Sequence, residues 1–515
     1  MTHATAAGGL DSNALLLELV YASVILAGAF ALVSYVSSAA AGKRKAAREN
    51  VRRAVALSRD DTSQPLDPLG SSNWLKAQAA MGMARIAARR EARKASTWNL
   101  NALEDFHACD AHDFWNESYY WNGCDFKTRD RIISRISHRG MNAEQSFVFL
   151  LLDMSDYGKL TLEVDDLDWS AEQAVKRVAG NDIESALAAG LVYECVDPLQ
   201  TWRIRYDGEM LRGHRDPWAS DTVDSRRAAT AAPVQGGNYV RVKMDLTYEN
   251  HTPTFWYMRD DNAETLAKNL SQEVWGLDFV RYCLSRSENH CHYESWGSLK
   301  GTIQVEDDAP LSYDFGTFRD HSWDIRLWAA IDQLFILLVT LEEPIVIGGE
   351  EYWYLDLTLV FMPGNSGGVQ RWTTGWLGGK QARGGKATGS LPGNLPVVRA
   401  TSVLDVGFTD IPEDGKRGLP ARREPLAESE TLVEVSVDGF KELEEQHPDK
   451  RFDNVVKLKV ECSGPIRRLQ YWPDKGRFEV FEDCMDIRVN GIKAYGTRQS
   501  GFRVGTYDPR EGGCG

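Results

Sequence analysis

Apolar and polar positions alternate along most of the chain beyond residue 105. Short segments with this alternation, such as 239–248 and 301–305, are separated by turns rich in Asp, Gly and Pro. A period of two residues is typical of β-strands with one buried face. At 171–179 and 264–269 the spacing of the apolar residues is instead that of a helix, and it predicts helices there. Many short strands with regular turns predict a mainly β protein built as sandwiches or barrels.

The apolar segment at residues 14–36 has a different pattern, with Glu18 as its single charged residue. A helix of this length reaches about 34 Å, which is enough to cross the hydrocarbon core of a bilayer. Lys and Arg residues follow between residues 43 and 53, and such charges favour the cytosolic side. The sequence predicts an uncleaved single-pass anchor in the endomembrane system with the main domain in the cytosol. A cleaved signal peptide that ends near the small residues 37–41 is the alternative.

The formal net charge of −15 is distributed unevenly along the chain. Residues 42–95 carry 13 Lys and Arg against 5 Asp and Glu, whereas the globular remainder is acidic. An acidic globular part argues against nucleic-acid binding. Residues 60–72 have linker composition, and residues 73–94 have the apolar spacing of a helix. This basic helix is expected either to lie on an anionic membrane surface or to pack on the main domain.

Residues 319–323, with the sequence Arg-Asp-His-Ser-Trp, are the strongest candidates for a functional site. On a strand, Arg319, His321 and Trp323 share one face. Asp320 points to the other face. A titratable imidazole beside a guanidinium and a large aromatic ring predicts a polar and aromatic pocket.

A similar alternation of chemically active side chains occurs upstream, at His290, His292 and Glu294. We expect His292 and Glu294 to contact a ligand together with Arg319. A metal centre made of His290, His292, Glu294 and His321 is the less favoured alternative, because only nearness in sequence connects His321 to the others. No metal and no other cofactor is therefore expected.

Trp115, Glu117 and Tyr119 also alternate on one strand face. They are expected to bind a ligand in the pocket of the other β unit, or else to be half-buried packing with Glu117 at the rim. The 8 Cys residues contain no Cys-x-x-Cys pair, which argues against a structural zinc site.

Four motifs in order carry a resemblance to a known family. They are Trp-Asn-Glu-Ser-Tyr-Tyr at 115–120, residues 198–208, the segment 319–323, and residues 489–496. Over about residues 105–503 the chain resembles a family related to hydroxyneurosporene synthase (carotenoid hydratase) and AttH-like lipocalin-type proteins. The chain departs from the family pattern at Asp324, where the family has Gly.

The resemblance implies two lipocalin-like β units packed together, and barrels of that size hold one small ligand. The expected organisation is a membrane anchor at 1–42, a basic linker and amphipathic helix at 43–104, a first β unit at 105–318 and a second at 319–515.

The resemblance also implies a set of catalytic residues. Carotenoid hydratases have an Asp-His-x-Trp motif followed by Tyr-x-Asp, and the matching residues here are Asp320, His321, Trp323, Tyr354 and Asp356. A carboxyl in an apolar cavity has a raised pKa and can donate a proton. Aromatic faces stabilise a carbocation. The acid would be Asp356 or Asp320, with His321 as proton relay.

The resulting hypothesis is a membrane-anchored enzyme that acts on an isoprenoid, terpenoid or other lipid. The reaction would be cofactor-independent hydration, cyclisation or isomerisation, which makes the protein a hydratase (a lyase) or an isomerase or cyclase. A non-catalytic lipid carrier of the same fold is the alternative, and a membrane scaffold is a third interpretation.

Overall fold

The computed structural model describes the helices, strands and connecting turns that hold the site. The described residues are 74–97, 99–105, 107, 115–139, 147–164, 176–180, 183–188, 190–212, 238–272, 291–325, 331, 333–363, 369–379, 394–404, 408–411, 422–425, 428–436, 455–474 and 478–503. Within these ranges no helix is both long and apolar enough to cross a bilayer. The apolar segment 14–36, the basic residues 43–73 and His290 lie outside the described residues.

In the described part of the chain, three helices flank the β structure. They are α1 (Trp74–Thr97), α2 (Leu100–Leu103) and α3 (Ala263–Gln272). Ala80 and Ala84 of α1 are fully buried and pack on Leu266 and Ala267 of α3. The small alanine side chains let the two helices approach closely. The basic helix therefore packs on the main domain, which is one of its two expected arrangements, while Arg85 on its other side is exposed.

Twelve strands form the first sheet. They are β1 (Trp115–Asp125), β2 (Arg131–Arg139), β3 (Phe147–Met154), β4 (Gly158–Val164), β5 (Lys176–Gly180), β6 (Ile183–Ala188), β7 (Leu191–Asp197), β8 (Thr201–Arg212), β9 (Tyr239–Asn250), β10 (Phe255–Trp256), β11 (Cys291–Val305) and β12 (Leu311–Ile325). Antiparallel pairing runs β11–β12–β1–β2–β3–β4–β8–β9 and returns from β9 to β11. We call these eight strands the ring.

The remaining strands form a closed eight-stranded barrel and a small hairpin. The barrel strands are β13 (Gln333–Ile347), β14 (Glu350–Pro363), β15 (Val369–Gly379), β16 (Asn394–Leu404), β19 (Glu428–Ser436), β20 (Val455–Asp474), β21 (Phe478–Val489) and β22 (Ile492–Arg503). The hairpin strands are β17 (Phe408–Ile411) and β18 (Arg422–Pro425). The predicted mainly β fold is confirmed.

Each unit has its own apolar core, because alternate residues of its strands point inward. In β9, buried Val242, Met244 and Leu246 alternate with exposed residues. Leu355 and Leu357 of β14 face the core of the barrel in the same way. A third apolar cluster lies between the units, where the outer faces of the ring and the barrel meet.

A buried polar network also joins the two units. Tyr120 of β1 donates a hydrogen bond of 2.7 Å to Oε2 of Glu482 on β21. Asn122 donates to the same oxygen at 2.9 Å. Arg131 of β2 donates to the backbone carbonyl of Glu482 at 3.0 Å. The bonds from Tyr120 and Asn122 satisfy the Glu482 carboxylate, which no solvent reaches.

Two expectations differ from the structure. The helix predicted at 171–179 is wrong for its second half, since β5 occupies Lys176–Gly180 and pairs with β6. Pairing with a neighbouring strand has outweighed the local apolar spacing. The boundary expected at 318/319 falls inside β12, and the chain passes from ring to barrel between Ile325 and Gln333.

Candidate functional site

Strand β12 separates two groups of titratable side chains. It pairs with β1 and β11, so that His321 lies beside Tyr119 and Tyr293. Residues at odd positions of β12 point into the ring, while Asp320 points toward the barrel. The predicted site residues therefore fall into two clusters on opposite faces of one sheet.

The inner cluster, inside the ring, is centred on the Glu117 carboxylate and consists of Glu104, His107, Glu117, Tyr293, Arg319 and His321. Oε1 of Glu117 lies 2.8 Å from Nδ1 of His107 and 3.1 Å from Nε2 of His321. The backbone N–H of His107 donates to Oε2 at 2.8 Å. Burial raises the pKa of Glu117, but the hydrogen bonds and charges of His107 and His321 outweigh it and hold the pKa below its ordinary value.

The second half of the inner cluster fixes the orientation of His321. Its Nδ1 lies 2.7 Å from the hydroxyl of Tyr293, which also donates to Oε2 of Glu104 at 2.7 Å. Arg319 forms a buried ion pair with the same carboxylate. Burial alone would raise the pKa of Glu104, yet Arg319 and His321 lower it to about 2.

Aromatic rings enclose the inner cluster. Tyr119 stacks on His321 with ring centroids 3.9 Å apart, and Trp323 stacks on His107 at 3.6 Å. Trp115 belongs to the same apolar group as Trp323. The Arg319 guanidinium lies 4.8 Å from the Trp202 ring centroid. Trp115, Glu117 and Tyr119 were expected in the pocket of the other β unit, or in packing with Glu117 at the rim. The structure instead places them beside Arg319, His321 and Trp323, with Glu117 fully buried, because β1 pairs with β12.

The interface cluster lies on the opposite face of β12, between ring and barrel, and consists of Tyr257, His292, Glu294, Asp320 and Asp356. Glu294 is its hub. The hydroxyl of Tyr257 donates to Oε1 of Glu294 at 2.7 Å. The indole N–H of Trp376 donates to Oε2 at 3.0 Å. Two neutral donors therefore hold this buried carboxylate in place.

The two carboxyl oxygens of Asp356 in the interface cluster differ in their hydrogen bonds. Its side chain is fully buried, and Oδ1 has no hydrogen-bond partner among the described residues. Oδ2 accepts a hydrogen bond of 3.4 Å from Tyr257. Burial, followed by the charge of the neighbouring Glu294, raises the pKa of Asp356 well above its ordinary value. The protonated form of Asp356 is therefore favoured at pH values at which an exposed Asp is ionised.

His292 and Asp320 form the accessible edge of the interface cluster. Nε2 of His292 contacts Asp320 as an ion pair and lies 3.3 Å from Oε1 of Glu294. Burial lowers the pKa of His292, but the two carboxylates outweigh it and raise the pKa to about 9. The side chains of His292 and Asp320 are 22% and 14% exposed. The Tyr257 ring stacks on His292 at 3.9 Å.

Tyr354 lies beside the interface cluster and does not contact its carboxylates directly. Its ring stacks on Trp296 at 4.9 Å. Its hydroxyl lies 3.3 Å from Nδ1 of His251. Tyr354 and Asp356 share the outer face of β14 as predicted. Both are separated from His321 and Trp323 by β12, so the five residues matched to the hydratase motifs do not line one pocket.

Several members of the two clusters had no signal in the sequence that singled them out. Glu104 and His107 precede the first strand, in a segment without strand periodicity. Tyr257 follows a strand of two residues. Tyr293 was detectable, since it lies between two residues that were singled out and alternation places it opposite His321.

Among the residues that the structure describes, two groups of side chains have donor atoms close enough to hold a metal ion. In each group the donor atoms lie within 4.8 Å of one another; the groups are His107, Glu117 and His321, and His292, Glu294 and Asp320. One surface cavity of about 350 Å³ is lined by residues that include Tyr206, Lys243 and Asp245. No residue of either cluster lines it.

Comparison with known proteins identifies a family and several distant structures. The family model described as Domain of unknown function (DUF7064) matches residues 74–349. No curated protein matches the chain. A Nitrosomonas europaea protein described as AttH is 8% identical, with 76% of this chain and 94% of that chain covered and a TM-score of 0.42.

Two further solved structures have similarly low identity. CghA, solved with Sch210972, is 9% identical, with 77% of this chain and 90% of that chain covered and a TM-score of 0.40. Kievitone hydratase from Nectria haematococca is 11% identical, with 76% and 90% covered and a TM-score of 0.35. These likenesses are distant, and function is inferred below from the geometry of the site.

Proposed function

The chain belongs to the family described as Domain of unknown function (DUF7064), and on this premise we propose that it is an enzyme that transfers a proton to a hydrophobic small molecule. The reaction would be cofactor-independent hydration, cyclisation or isomerisation of an isoprenoid, terpenoid or other lipid. One observation carries the proposal: the buried carboxyl groups of Asp356 and Glu294 lie together under one Tyr257 hydroxyl, beside the partly exposed His292.

Asp356 is the proton donor in this scheme. A carboxyl that keeps its proton at neutral pH can act as a general acid. Tyr257 contacts both carboxyl groups, at 3.4 Å from Asp356 and 2.7 Å from Glu294. It therefore holds the pair in one arrangement. Oδ1 of Asp356 accepts no hydrogen bond from a donor among the described residues, and we assign the transferred proton to this oxygen.

His292 exchanges the proton of the carboxyl pair with solvent between turnovers. With a pKa of about 9 it is protonated at neutral pH, and its exposed edge allows it to exchange protons with water. Its contact of 3.3 Å with Glu294 connects it to the carboxyl pair. Asp320 stabilises the imidazolium, so its role changes from candidate acid to partner of His292.

The aromatic side chains around the interface cluster suit a substrate that becomes a carbocation. Protonation of an alkene carbon would leave a cation beside the rings of Tyr257 and Trp376, whose faces attract positive charge. In hydration, water adds to the cation and releases a proton to the Asp356 carboxylate. In isomerisation, a neighbouring carbon returns that proton instead.

The structure changes two of the roles implied by the hydratase resemblance. His321 was expected to relay a proton to Asp356, and Trp323 to stabilise a cation at the same place. Both side chains point into the ring, with β12 between them and Asp356. His292 replaces His321 as the relay because it lies on the same face of the sheet as Asp356.

In the proposed arrangement, residues 14–36 anchor the chain in a membrane and the basic residues 43–94 contact its anionic surface. Helix α1 would do so through its exposed arginines while its alanine side packs on α3. The charge pattern of the sequence supports this arrangement. The anchor would hold the interface cluster near the bilayer, where isoprenoid substrates dissolve.

The test is a deuterium-incorporation assay with the full-length protein. Purified protein is incubated in D₂O with farnesol, geranylgeraniol or squalene, and products are analysed by mass spectrometry. We expect the wild type to form a product that contains deuterium. Asp356→Asn should lower the rate by at least about 100-fold, because positioned acids contribute roughly that factor or more.

Asp314→Asn is the matched control, since it removes a carboxyl that is 62% exposed and paired only with a surface Lys among the described residues. It should leave the rate unchanged. An isoprenoid that binds unaltered to both wild type and Asp356→Asn would favour the carrier. Full activity of Asp356→Asn would exclude the assigned acid.

A further inference from the structure

We propose that His107, Glu117 and His321 bind one divalent first-row transition-metal ion. This site is independent of the proposed proton transfer, because it lies on the other face of β12. Two imidazoles and one carboxylate, with positions left open, are a donor set found in zinc and non-haem iron centres.

The donor atoms already converge on one point. Nδ1 of His107 and Nε2 of His321 lie 2.8 and 3.1 Å from the same oxygen, Oε1 of Glu117. All three donors are within 4.8 Å of one another. In a tetrahedral zinc site with bonds near 2.0 Å the ligands lie about 3.3 Å apart. The distances from Oε1 to the two nitrogens would therefore need to lengthen by only about 0.2–0.5 Å.

The surroundings of His321 leave Nε2 available as a ligand. Because the Tyr293 hydroxyl donates to Glu104, its oxygen can accept a hydrogen bond from Nδ1–H of His321. Nε2 is then the nitrogen that is directed at Glu117, and it is the atom that would bind the ion. Metal-binding histidines usually have such a partner on the second nitrogen, which fixes the tautomer.

The charge balance of the inner cluster also favours a cation. Arg319 is paired with Glu104, so it does not neutralise Glu117. Glu117 and His321 are both fully buried, so solvent would screen an ion bound between them only weakly. A bound divalent ion would supply positive charge beside the Glu117 carboxylate.

The site has an entry at His107, whose side chain is 24% exposed while Glu117 is fully buried. His107 is held in place by the stacked Trp323 ring and by the bond from its backbone N–H to Glu117. An ion can thus reach the carboxylate by displacement of one side chain, without opening the ring.

Metal binding by the full-length protein tests the assignment. Zinc is titrated in competition with a chromophoric chelator, and cobalt(II) is titrated while its visible ligand-field bands are recorded. We expect one ion per chain. His107→Gln should weaken binding by more than about 100-fold, because loss of an outer partner alone costs roughly 10–100-fold.

His292→Gln is the matched variant, since His292 is 22% exposed and also faces carboxylates, but in the interface cluster. It should bind zinc as the wild type does. Absence of any bound ion, equal binding by wild type and His107→Gln, or loss on His292→Gln instead would each overturn the assignment. If His107→Gln fails to fold, anomalous scattering from zinc-soaked wild-type crystals decides whether the ion lies between His107 and His321.

Discussion

At Asp356 the stability of the fold and the proposed chemistry have opposite requirements. The folded chain keeps this carboxyl protonated, because burial and Glu294 raise its pKa. The unfolded chain ionises it near the ordinary Asp pKa of about 3.9. Between the two pKa values folding must bind a proton, so stability falls as the pH rises, by up to about 1.4 kcal/mol per pH unit.

Asp356→Asn should therefore make the protein more stable at neutral pH while it removes the acid. The amide has nearly the same shape and carries no charge to desolvate. Urea denaturation should give equal free energies of unfolding for wild type and variant near pH 4. The variant should be the more stable at pH 8. Asp314→Asn should show no such divergence, and a variant less stable than wild type at both pH values would contradict the assigned proton.

At the scale of single strands, alternation in the sequence predicted most of what the structure shows. Arg319, His321 and Trp323 do share a face, as do Tyr354 and Asp356. Alternation determines the face within a strand, but it does not reveal which faces of different strands meet. The pairing of Asp356 with Glu294 and Tyr257 depends on how the barrel packs on the ring. No sequence pattern near Tyr257 indicates how the barrel packs on the ring.

The position of Asp356 depends on a close approach of two strands. Gly375 on β15 lies opposite Leu357, and a Cβ there would lie 2.3 Å from the carbonyl oxygen of Asp356. Its φ of +141° is also one that side chains rarely adopt. The absence of a side chain at Gly375 lets β15 lie against the backbone of the proposed acid.

Gly375→Ala should lower stability and displace Asp356. Gly349→Ala is the control. Gly349 has a φ of +90°, and a Cβ added there would have no atom within 4 Å, so this substitution measures backbone strain alone. We expect strain of about 1–2 kcal/mol at Gly349. Gly375→Ala should cost a further 1–3 kcal/mol or so from the steric clash. Chemical denaturation measures both, and equal losses would show that β15 moves away without cost.

At the scale of the whole molecule, the network around Glu482 makes ring and barrel depend on each other. Its carboxylate comes from β21 of the barrel, whereas Tyr120, Asn122 and Arg131 come from the ring. Removing a donor leaves part of a buried carboxylate unsatisfied, which is costly. We infer that the two units unfold together.

Tyr120→Phe should destabilise both units by about 1.5–3 kcal/mol, since the lost hydrogen bond is to a buried charged group. Tyr157→Phe removes a bond of 3.0 Å to Asp308 at the surface of the ring and should cost less than about 0.5 kcal/mol. Thermal unfolding followed by fluorescence and calorimetry would show one shifted transition. Equal, negligible effects of the two variants would indicate that the network does not couple the units.

The two faces of β12 constrain the length of this strand more strongly than its composition. Neighbouring residues serve different clusters, His321 the inner one and Asp320 the interface one. A substitution therefore alters one cluster alone. An insertion of a single residue before Arg319 would instead turn every following side chain to the opposite face. Single substitutions in this segment are therefore tolerated separately by the two clusters. A change in its length would instead move the side chains of each cluster to the other face and disrupt both.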